Sequence, residues 1–139
     1  LSIYDNLDSL LFEMIHKNKN VYITAYTTDY NTFKVYSGKG KLLFGGAEIN
    51  NFKVTDKNIL ISDKETFKVY DSKLTLQTTS KKYSKIFGIF DDFVAVLDTN
   101  KLAAVDLEDN EIVKFDLEWN KGNYKFYSEF FFSIRFFHY

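Results

Sequence analysis

Apolar and polar residues alternate along most of the sequence after residue 20. Short runs rich in β-branched and aromatic residues are separated by polar turns that contain serine, glycine, asparagine or aspartate, as at Ser37–Gly40 and Asp98–Asn100. This pattern is typical of β-strands joined by tight turns. It predicts the strands Val21–Tyr26, Thr32–Tyr36, Lys41–Phe44, Asn51–Val54, Ile59–Ser62, Thr66–Tyr70, Leu74–Thr78, Lys85–Phe90, Phe93–Leu97, Leu102–Val105, Glu111–Phe115 and Tyr124–Tyr127.

The first twenty residues follow a different period. Apolar side chains recur there at the spacing of one face of an α-helix, namely at Leu7, Leu10, Leu11, Met14 and Ile15. Acidic residues accompany the start of this stripe and basic residues follow it, as the helix dipole favours. The spacing predicts an N-terminal amphipathic helix within residues 1–20, over roughly residues 5–17. Its apolar stripe would pack on its own domain or dock into a partner.

The strand pattern repeats. The pentapeptide Thr32–Tyr36 returns unchanged as Thr66–Tyr70, 34 positions later (66 − 32), and Lys101–Val105 is a degenerate third copy. Other positions recur at an offset of 35, as Ile59 and Val94 do (94 − 59). A period of this length indicates a repeated structural unit. We therefore expect three four-stranded antiparallel repeats of about 35 residues over residues 21–127.

In this pattern Val21–Tyr26 opens the first repeat and Asn51–Val54 closes it. The order of apolar strand, aspartate-containing turn and apolar strand resembles the blades of β-propellers, most clearly over Ile59–Leu76 and Phe93–Phe115. The resemblance covers residues 21–137. The Trp-Asp and Gly-His dipeptides of WD40 repeats and the tryptophan motif of quinoprotein blades are missing. The resemblance therefore implies an all-β fold and no particular activity.

Three blades raise a problem of closure, because closed propellers hold about four to eight blades. Two chains would each give three blades to a shared ring, with the extra aromatic strand at residues 128–139 crossing over as a clasp. Alternatively the sequence, which begins with Leu1 and not Met, is part of a longer propeller. A third architecture is a β-trefoil, which closes as a monomer. In each case we expect residues 1–139 to form a single domain.

Composition limits the classes of function. With 45% hydrophobic residues and a net charge of −1, the chain resembles neither a disordered protein nor a general polyanion binder, so we expect no nucleic-acid partner. No apolar run approaches the ~20 residues that span a bilayer, so we expect no membrane partner. Cysteine is absent, which excludes disulfides and thiolate zinc sites. No signal-peptide pattern appears at the start, which favours a cytoplasmic location.

No cluster of residues predicts catalysis. The two histidines, His16 and His138, stand at opposite ends of the sequence, so a metal site on both would need the two ends to converge. The acidic stretch Asp106–Glu111 lacks the glycine and ligand spacing of an EF-hand loop and is interpreted as a hairpin turn. The adjacent Asp91 and Asp92 are interpreted as a turn as well. We expect neither an enzyme nor a bound cofactor.

The aromatic C-terminal segment gives the strongest indication of function. A strand that is apolar on both faces must lie inside a stack of sheets or be covered by a partner. We predict that the partner-binding residues come from this segment and from the N-terminal stripe. They are Leu7, Leu10, Leu11, Met14, Phe130, Phe131, Phe132 and Phe136.

These features favour a non-enzymatic protein–protein interaction module or scaffold of propeller type. It would close by self-association, most simply as a homodimer, or belong to a larger propeller. The alternative is a small-ligand or carbohydrate-binding domain of the β-trefoil kind, with an aromatic pocket that includes Trp119.

Overall fold

The computed structural model describes residues 11–27, 33–46, 49 and 51–116. Over these residues the chain is all-β, with twelve strands and no helix. Within this part of the chain, no helix is long and apolar enough to traverse a membrane. The strands are β1 (Leu11–Lys17), β2 (Asn20–Tyr26), β3 (Phe33–Ser37), β4 (Leu42–Gly46), β5 (Asn51–Val54), β6 (Asn58–Ser62), β7 (Phe67–Asp71), β8 (Leu76–Thr79), β9 (Lys85–Ile89), β10 (Phe93–Asp98), β11 (Lys101–Asp106) and β12 (Glu111–Asp116).

The twelve strands form three separate four-stranded antiparallel sheets, each built in chain order. Sheet 1 holds β1–β4, sheet 2 holds β5–β8 and sheet 3 holds β9–β12. In each sheet one residue of the fourth strand forms a β-bulge, at Leu43, Gln77 and Ile112. The prediction of an all-β fold with three four-stranded antiparallel repeats is confirmed. Three separate open sheets are organised like propeller blades, unlike the closed barrel of a β-trefoil.

The turn between the third and fourth strands has the same design in every sheet. Its first side chain accepts hydrogen bonds from the backbone amides two and four residues further on. These first residues are Ser37, Asp71 and Asp106. The fourth residue of each turn has a positive φ, which is 86° at Gly40, 67° at Leu74 and 65° at Asp109. The repeat therefore extends from the strands to the turn geometry.

The prediction of an N-terminal helix is wrong where the structure describes it. Leu11–Lys17 form strand β1, and residues 1–10 lie outside the described part. Asn18 and Lys19 take positive φ values of 54° and 65°, which form the tight two-residue turn that returns the chain along β1. Pairing with β2 along the whole strand thus outweighs the helical spacing of the apolar residues.

The grouping of the strands also differs from the prediction by one strand. Asn51–Val54 opens sheet 2 instead of closing the first unit, and Lys85–Ile89 likewise opens sheet 3. A repeat fixes the length of the unit but not its first strand. The helix-like spacing of Leu11–Lys17 hid the first strand of sheet 1. The predicted strand Tyr124–Tyr127 and the aromatic segment 128–139 lie outside the described residues.

The three sheets stack, and the same face is used at each step. Val35 of sheet 1 packs with Ile59 of sheet 2, and its repeat equivalent Val69 of sheet 2 packs with Val94 of sheet 3. We call the face that meets the next sheet the leading face and the opposite one the trailing face. The two contacts are joint 1–2 and joint 2–3. The leading face of sheet 3 is also apolar and buried, with Phe93, Ala95, Leu102 and Ala104.

Exposed ion pairs accompany both joints. Lys17 of β1 pairs with Asp56 in the β5–β6 turn at 3.0 Å, and Lys53 of β5 pairs with Asp91 in the β9–β10 turn at 3.3 Å. Asp56 and Asp91 are 35 positions apart (91 − 56), as the repeat predicts. Exposed pairs of this kind contribute at most about 1 kcal/mol each, so apolar packing dominates both joints.

Candidate interaction surfaces

The trailing face of sheet 1 is exposed along its β1 edge, whereas Ala25 and Tyr36, which lie on the same face further into the sheet, are each only 4% exposed. Strand alternation puts Phe12, Met14 and Ile23 on this face, because Met14 pairs with Ile23 and Phe12 pairs with Ala25. Met14 is 72% exposed, Phe12 is 39% exposed and Ile23 is half-buried. We call Phe12, Met14 and Ile23 the outer face of sheet 1.

The equivalent positions in the other two sheets are covered. Ile23 corresponds to Ile59 and Val94, since each faces the equivalent residue of the third strand. Ile59 is 1% exposed and Val94 is 0% exposed, because the preceding sheet packs on each. Val54, which pairs with Ile59 as Met14 pairs with Ile23, is half-buried. The outer face of sheet 1 therefore has the composition of a blade-contact face without a described sheet on it.

Two of the predicted partner-binding residues lie in the described part. Leu11 and Met14 are both exposed, but they point to opposite faces of β1, so the single apolar stripe predicted for them is wrong. The structure adds Phe12 and Ile23 to the candidate contact residues, which the helical interpretation missed. The sequence signal for a strand here was the spacing of Phe12, Met14 and His16 at every second position. The other predicted residues lie outside the described part, and they are Leu7, Leu10, Phe130, Phe131, Phe132 and Phe136.

A partly buried polar network, centred on the buried Tyr83, links the two sides of joint 2–3. The Tyr83 hydroxyl donates a hydrogen bond to one carboxylate oxygen of Asp109, and the Lys81 backbone amide donates to the other at 2.8 Å. Burial, followed by the bond to Asp109, raises the pKa of the Tyr83 hydroxyl well above its ordinary value of 10.0. The network ties the connector between sheets 2 and 3 to the β11–β12 turn.

Asp98 extends this network at the surface. Its carboxylate pairs with Lys81 at 3.2 Å and with Lys114 at 3.3 Å. Burial acts to raise the pKa of Asp98, but the hydrogen bonds from the two lysines outweigh it and hold the pKa below its ordinary 3.8. The hydrogen bond with Asp98 in turn raises the pKa of Lys114. Since each of these charges has a partner, the arrangement suits a structural joint.

The other residues with candidate chemistry do not converge in the described part of the chain. Asp106–Glu111 spans the β11–β12 turn, as interpreted. His16 is exposed in β1, whereas His138 and Trp119 lie outside the described residues. Across residues 11–116, as far as the structure describes them, no group of three or more histidine or acidic side chains could hold a metal ion.

Two clefts open where neighbouring sheets meet near their turns. Cleft 1–2, of about 570 Å³, is lined by residues of the β1–β2, β3–β4 and β7–β8 turns, with Tyr22 and Leu43. Cleft 2–3, of about 700 Å³, is lined by Asn58 and Gln77 together with Glu108 of the β11–β12 turn. Both volumes lie within the range of small-ligand sites. The two clefts occupy equivalent places in the repeat but differ in side chains.

No protein-family model matches the chain, and a comparison with curated proteins gave no match either. Among solved structures, the chain is similar to Hsv2 of the yeast Kluyveromyces lactis. A form of Hsv2 with loop 6CD replaced by a Gly-Ser linker superposes with a TM-score of 0.53 at 11% identity, over 81% of this chain and 40% of the other. Hsv2 with the complete loop 6CD superposes with a TM-score of 0.43 at 13% identity, over 82% and 39%.

Hsv2 is a β-propeller protein, so the first superposition, together with the three stacked sheets, shows a propeller-like fold. At this level of identity the likeness concerns the fold alone. The chain spans about 40% of the length of the Hsv2 chain that it matches.

Proposed function

We propose that the chain is a non-enzymatic protein–protein interaction module of propeller type, completed by a further blade surface that packs on the outer face of sheet 1. That surface comes from a second copy of the chain, which is the favoured partner, or from a larger propeller that includes these three sheets.

The exposure of Met14 is the observation that carries the proposal. At the equivalent position of sheet 2, Val54 is half-buried in joint 1–2. Covering an apolar side chain that is 72% exposed is favourable by roughly 25 cal/mol for each Å² removed from water. Apolar surface of this kind on a sheet commonly marks a contact with a partner.

Two further observations support the proposal. The same leading-to-trailing contact is made twice within the chain, so the geometry needed for another contact is already repeated. The chain also superposes on less than half of a longer propeller chain, in which blades of this kind have further neighbours.

Light scattering after size exclusion tests the self-association form of the proposal. We expect twice the monomer mass of 16.3 kDa for the wild type. Met14→Lys should give a folded monomer, because a charged side chain resists burial in an apolar contact. Leu76→Lys is the matched control, since Leu76 is 49% exposed at the edge of sheet 2 and away from the outer face.

A wild type that stays monomeric at all concentrations, with the same mass as Met14→Lys, would contradict self-association. A dimer that Met14→Lys leaves intact would contradict the placement of the contact on the outer face. A dimer that Leu76→Lys also disrupts would show that any added lysine is enough, and would contradict it too.

A further inference from the structure

Cleft 1–2 has three lysines at its rim that form no ion pair within the described part of the chain. Lys19, Lys39 and Lys73 line it from three different turns, and all three are exposed. None of them forms an ion pair with a described residue, and no acidic residue belongs to the lining. The nearby Asp71 carboxylate accepts hydrogen bonds from the backbone amides of its own turn, at Lys73 and Thr75.

The wall between these lysines is apolar. Val21, Leu43 and Leu74 contribute to the lining. The turn at Gly38 approaches Val21 so closely that an added Cβ would lie 3.0 Å from the Val21 Cβ. The cleft therefore combines a basic rim with an apolar wall.

Tyr22 provides an independent observation. It lines the cleft, it is only 4% exposed, and its hydroxyl has no hydrogen-bond partner within the described part of the chain. A buried tyrosine hydroxyl usually has a partner, because leaving it without one costs free energy. A ligand with an acceptor oxygen would supply the missing hydrogen bond.

Cleft 2–3 has the equivalent place in the repeat, so its lining can be compared with that of cleft 1–2. The bulge residue is Leu43 in cleft 1–2 and Gln77 in cleft 2–3. The third residue of the bordering turn is Lys73 in one and Glu108 in the other, 35 positions apart (108 − 73). The backbone repeat alone thus does not produce a basic, apolar-walled cleft. These features depend on the side chains of cleft 1–2.

We infer that cleft 1–2 binds an acidic peptide segment of a protein partner. Carboxylates of the segment pair with Lys19, Lys39 and Lys73, and an apolar side chain between them packs on Leu43 and Leu74. The lysines extend from three separate turns with apolar residues between them, which suits charges spaced along a peptide better than a single phosphate group. This site lies between two described sheets and does not depend on what covers the outer face of sheet 1.

Fluorescence anisotropy with the full chain tests the inference. The probe is a fluorescein-labelled peptide in which glutamate and leucine alternate, and the comparison peptide has lysine for glutamate. We expect the wild type to bind the glutamate peptide alone, and more weakly as salt increases. Lys73→Glu, which installs the side-chain type of cleft 2–3, should raise Kd by at least about tenfold, equivalent to 1.4 kcal/mol. Tyr22→Phe should raise Kd about threefold without loss of stability.

Lys64→Glu is the matched control, because it makes the same change of charge in an exposed turn at the other end of sheet 2. It should leave Kd unchanged. Equal weakening by Lys64→Glu and Lys73→Glu would overturn the inference, because the binding would then reflect net charge alone. Binding by inorganic phosphate but not by the glutamate peptide would overturn the choice of ligand. Failure of both to bind would overturn the site.

Discussion

The residues Phe33–Tyr36 recur unchanged as Phe67–Tyr70, and the two copies form the equivalent strands β3 and β7. In both copies the phenylalanine and the valine lie on the leading face and are buried. Their surroundings differ, because joint 1–2 is completed by many half-buried residues, whereas joint 2–3 is a closed set of mostly aliphatic buried residues. The local sequence determines the strand and its buried face, and the neighbouring sheet determines how tight the joint is.

Aromatic rings dominate joint 1–2. The rings of Phe44 and Tyr70 lie 5.0 Å apart between centroids, and those of Tyr22 and Phe52 lie 5.9 Å apart. Both are tilted contacts within the favourable range for aromatic pairs. Because Phe44, Phe52 and Tyr70 are half-buried, they can shift when a neighbour is truncated. We therefore expect joint 1–2 to tolerate change better than joint 2–3.

The largest expected effect is a pair of equivalent truncations. Phe67→Ala should lower the free energy of unfolding by about 3–5 kcal/mol, because it opens a cavity in a closed aliphatic cluster. Phe33→Ala should cost about 1 kcal/mol less, since its half-buried neighbours can partly fill the space. Urea unfolding followed by circular dichroism gives both values. An equal or larger loss for Phe33→Ala would contradict the difference between the joints.

Next in size is the polar network of joint 2–3, for which joint 1–2 has no counterpart among the described residues. Tyr83→Phe should cost about 1–2 kcal/mol at pH 7, because Asp109 loses a hydrogen bond from a buried donor. The folded state raises the pKa of Tyr83, so this stabilisation is complete below pH 10.0 and decreases as the pH rises beyond it. The wild type should thus lose more stability than Tyr83→Phe in alkaline unfolding experiments. If the free energy of unfolding of the two proteins fell equally with rising pH, the alkaline loss of stability would not come from Tyr83.

A smaller effect compares the turns of sheets 1 and 2. Gly40→Ala should lower the free energy of unfolding by about 1 kcal/mol. The loss comes only from the positive φ of 86°, since an added Cβ meets no atom within 4 Å. Leu74→Gly should instead raise the free energy of unfolding by about 0.5 kcal/mol. At its φ of 67° glycine avoids the steric cost that a Cβ has in the left-handed region. Thermal unfolding would measure both shifts. Shifts of the same sign would show that the two turns are not equivalent.

The smallest effect concerns Asp98 at the surface of joint 2–3. Its pKa is lowered in the folded state, so its contribution is present above pH 3.8 and is lost as the pH falls below it. Asp98→Asn should cost less than about 1 kcal/mol at pH 7, given that the pairs with Lys81 and Lys114 are partly exposed. The variant should also have a shallower acid transition in urea titrations at pH 2–6. An unchanged acid transition would argue against these ion pairs as its source.

Much of the fold could be predicted from the sequence, because repetition and alternation are local signals. The recurrence of Thr32–Tyr36 at Thr66–Tyr70 placed β3 and β7, and the aligned aspartates placed the turns. Strand β1 was missed because its apolar residues fit a helical period, and only pairing with β2 through the Asn18–Lys19 turn decides between the two. Because β1 was missed, the count of four strands per repeat started one strand too late. The first strand of sheet 2 and that of sheet 3 were therefore each assigned to the preceding repeat.

The candidate surfaces were harder to predict because they depend on contacts between sheets. Whether Met14 is exposed depends on whether another sheet lies in front of it, which alternation cannot reveal. Cleft 1–2 combines turns that are distant in the sequence. One signal was nevertheless available, since the repeat alignment puts Lys39 and Lys73 where the third copy has Glu108.

Met14 is the sole methionine of the chain and lies at the centre of the proposed contact, so its oxidation rate tests the central claim most directly. Peroxide converts an accessible methionine to the sulfoxide, which intact mass spectrometry counts. If a second copy covers the outer face of sheet 1, the oxidation rate should fall several-fold as the protein concentration is raised through the dimerisation range. A rate that equals that of a free methionine peptide at every concentration would contradict the claim.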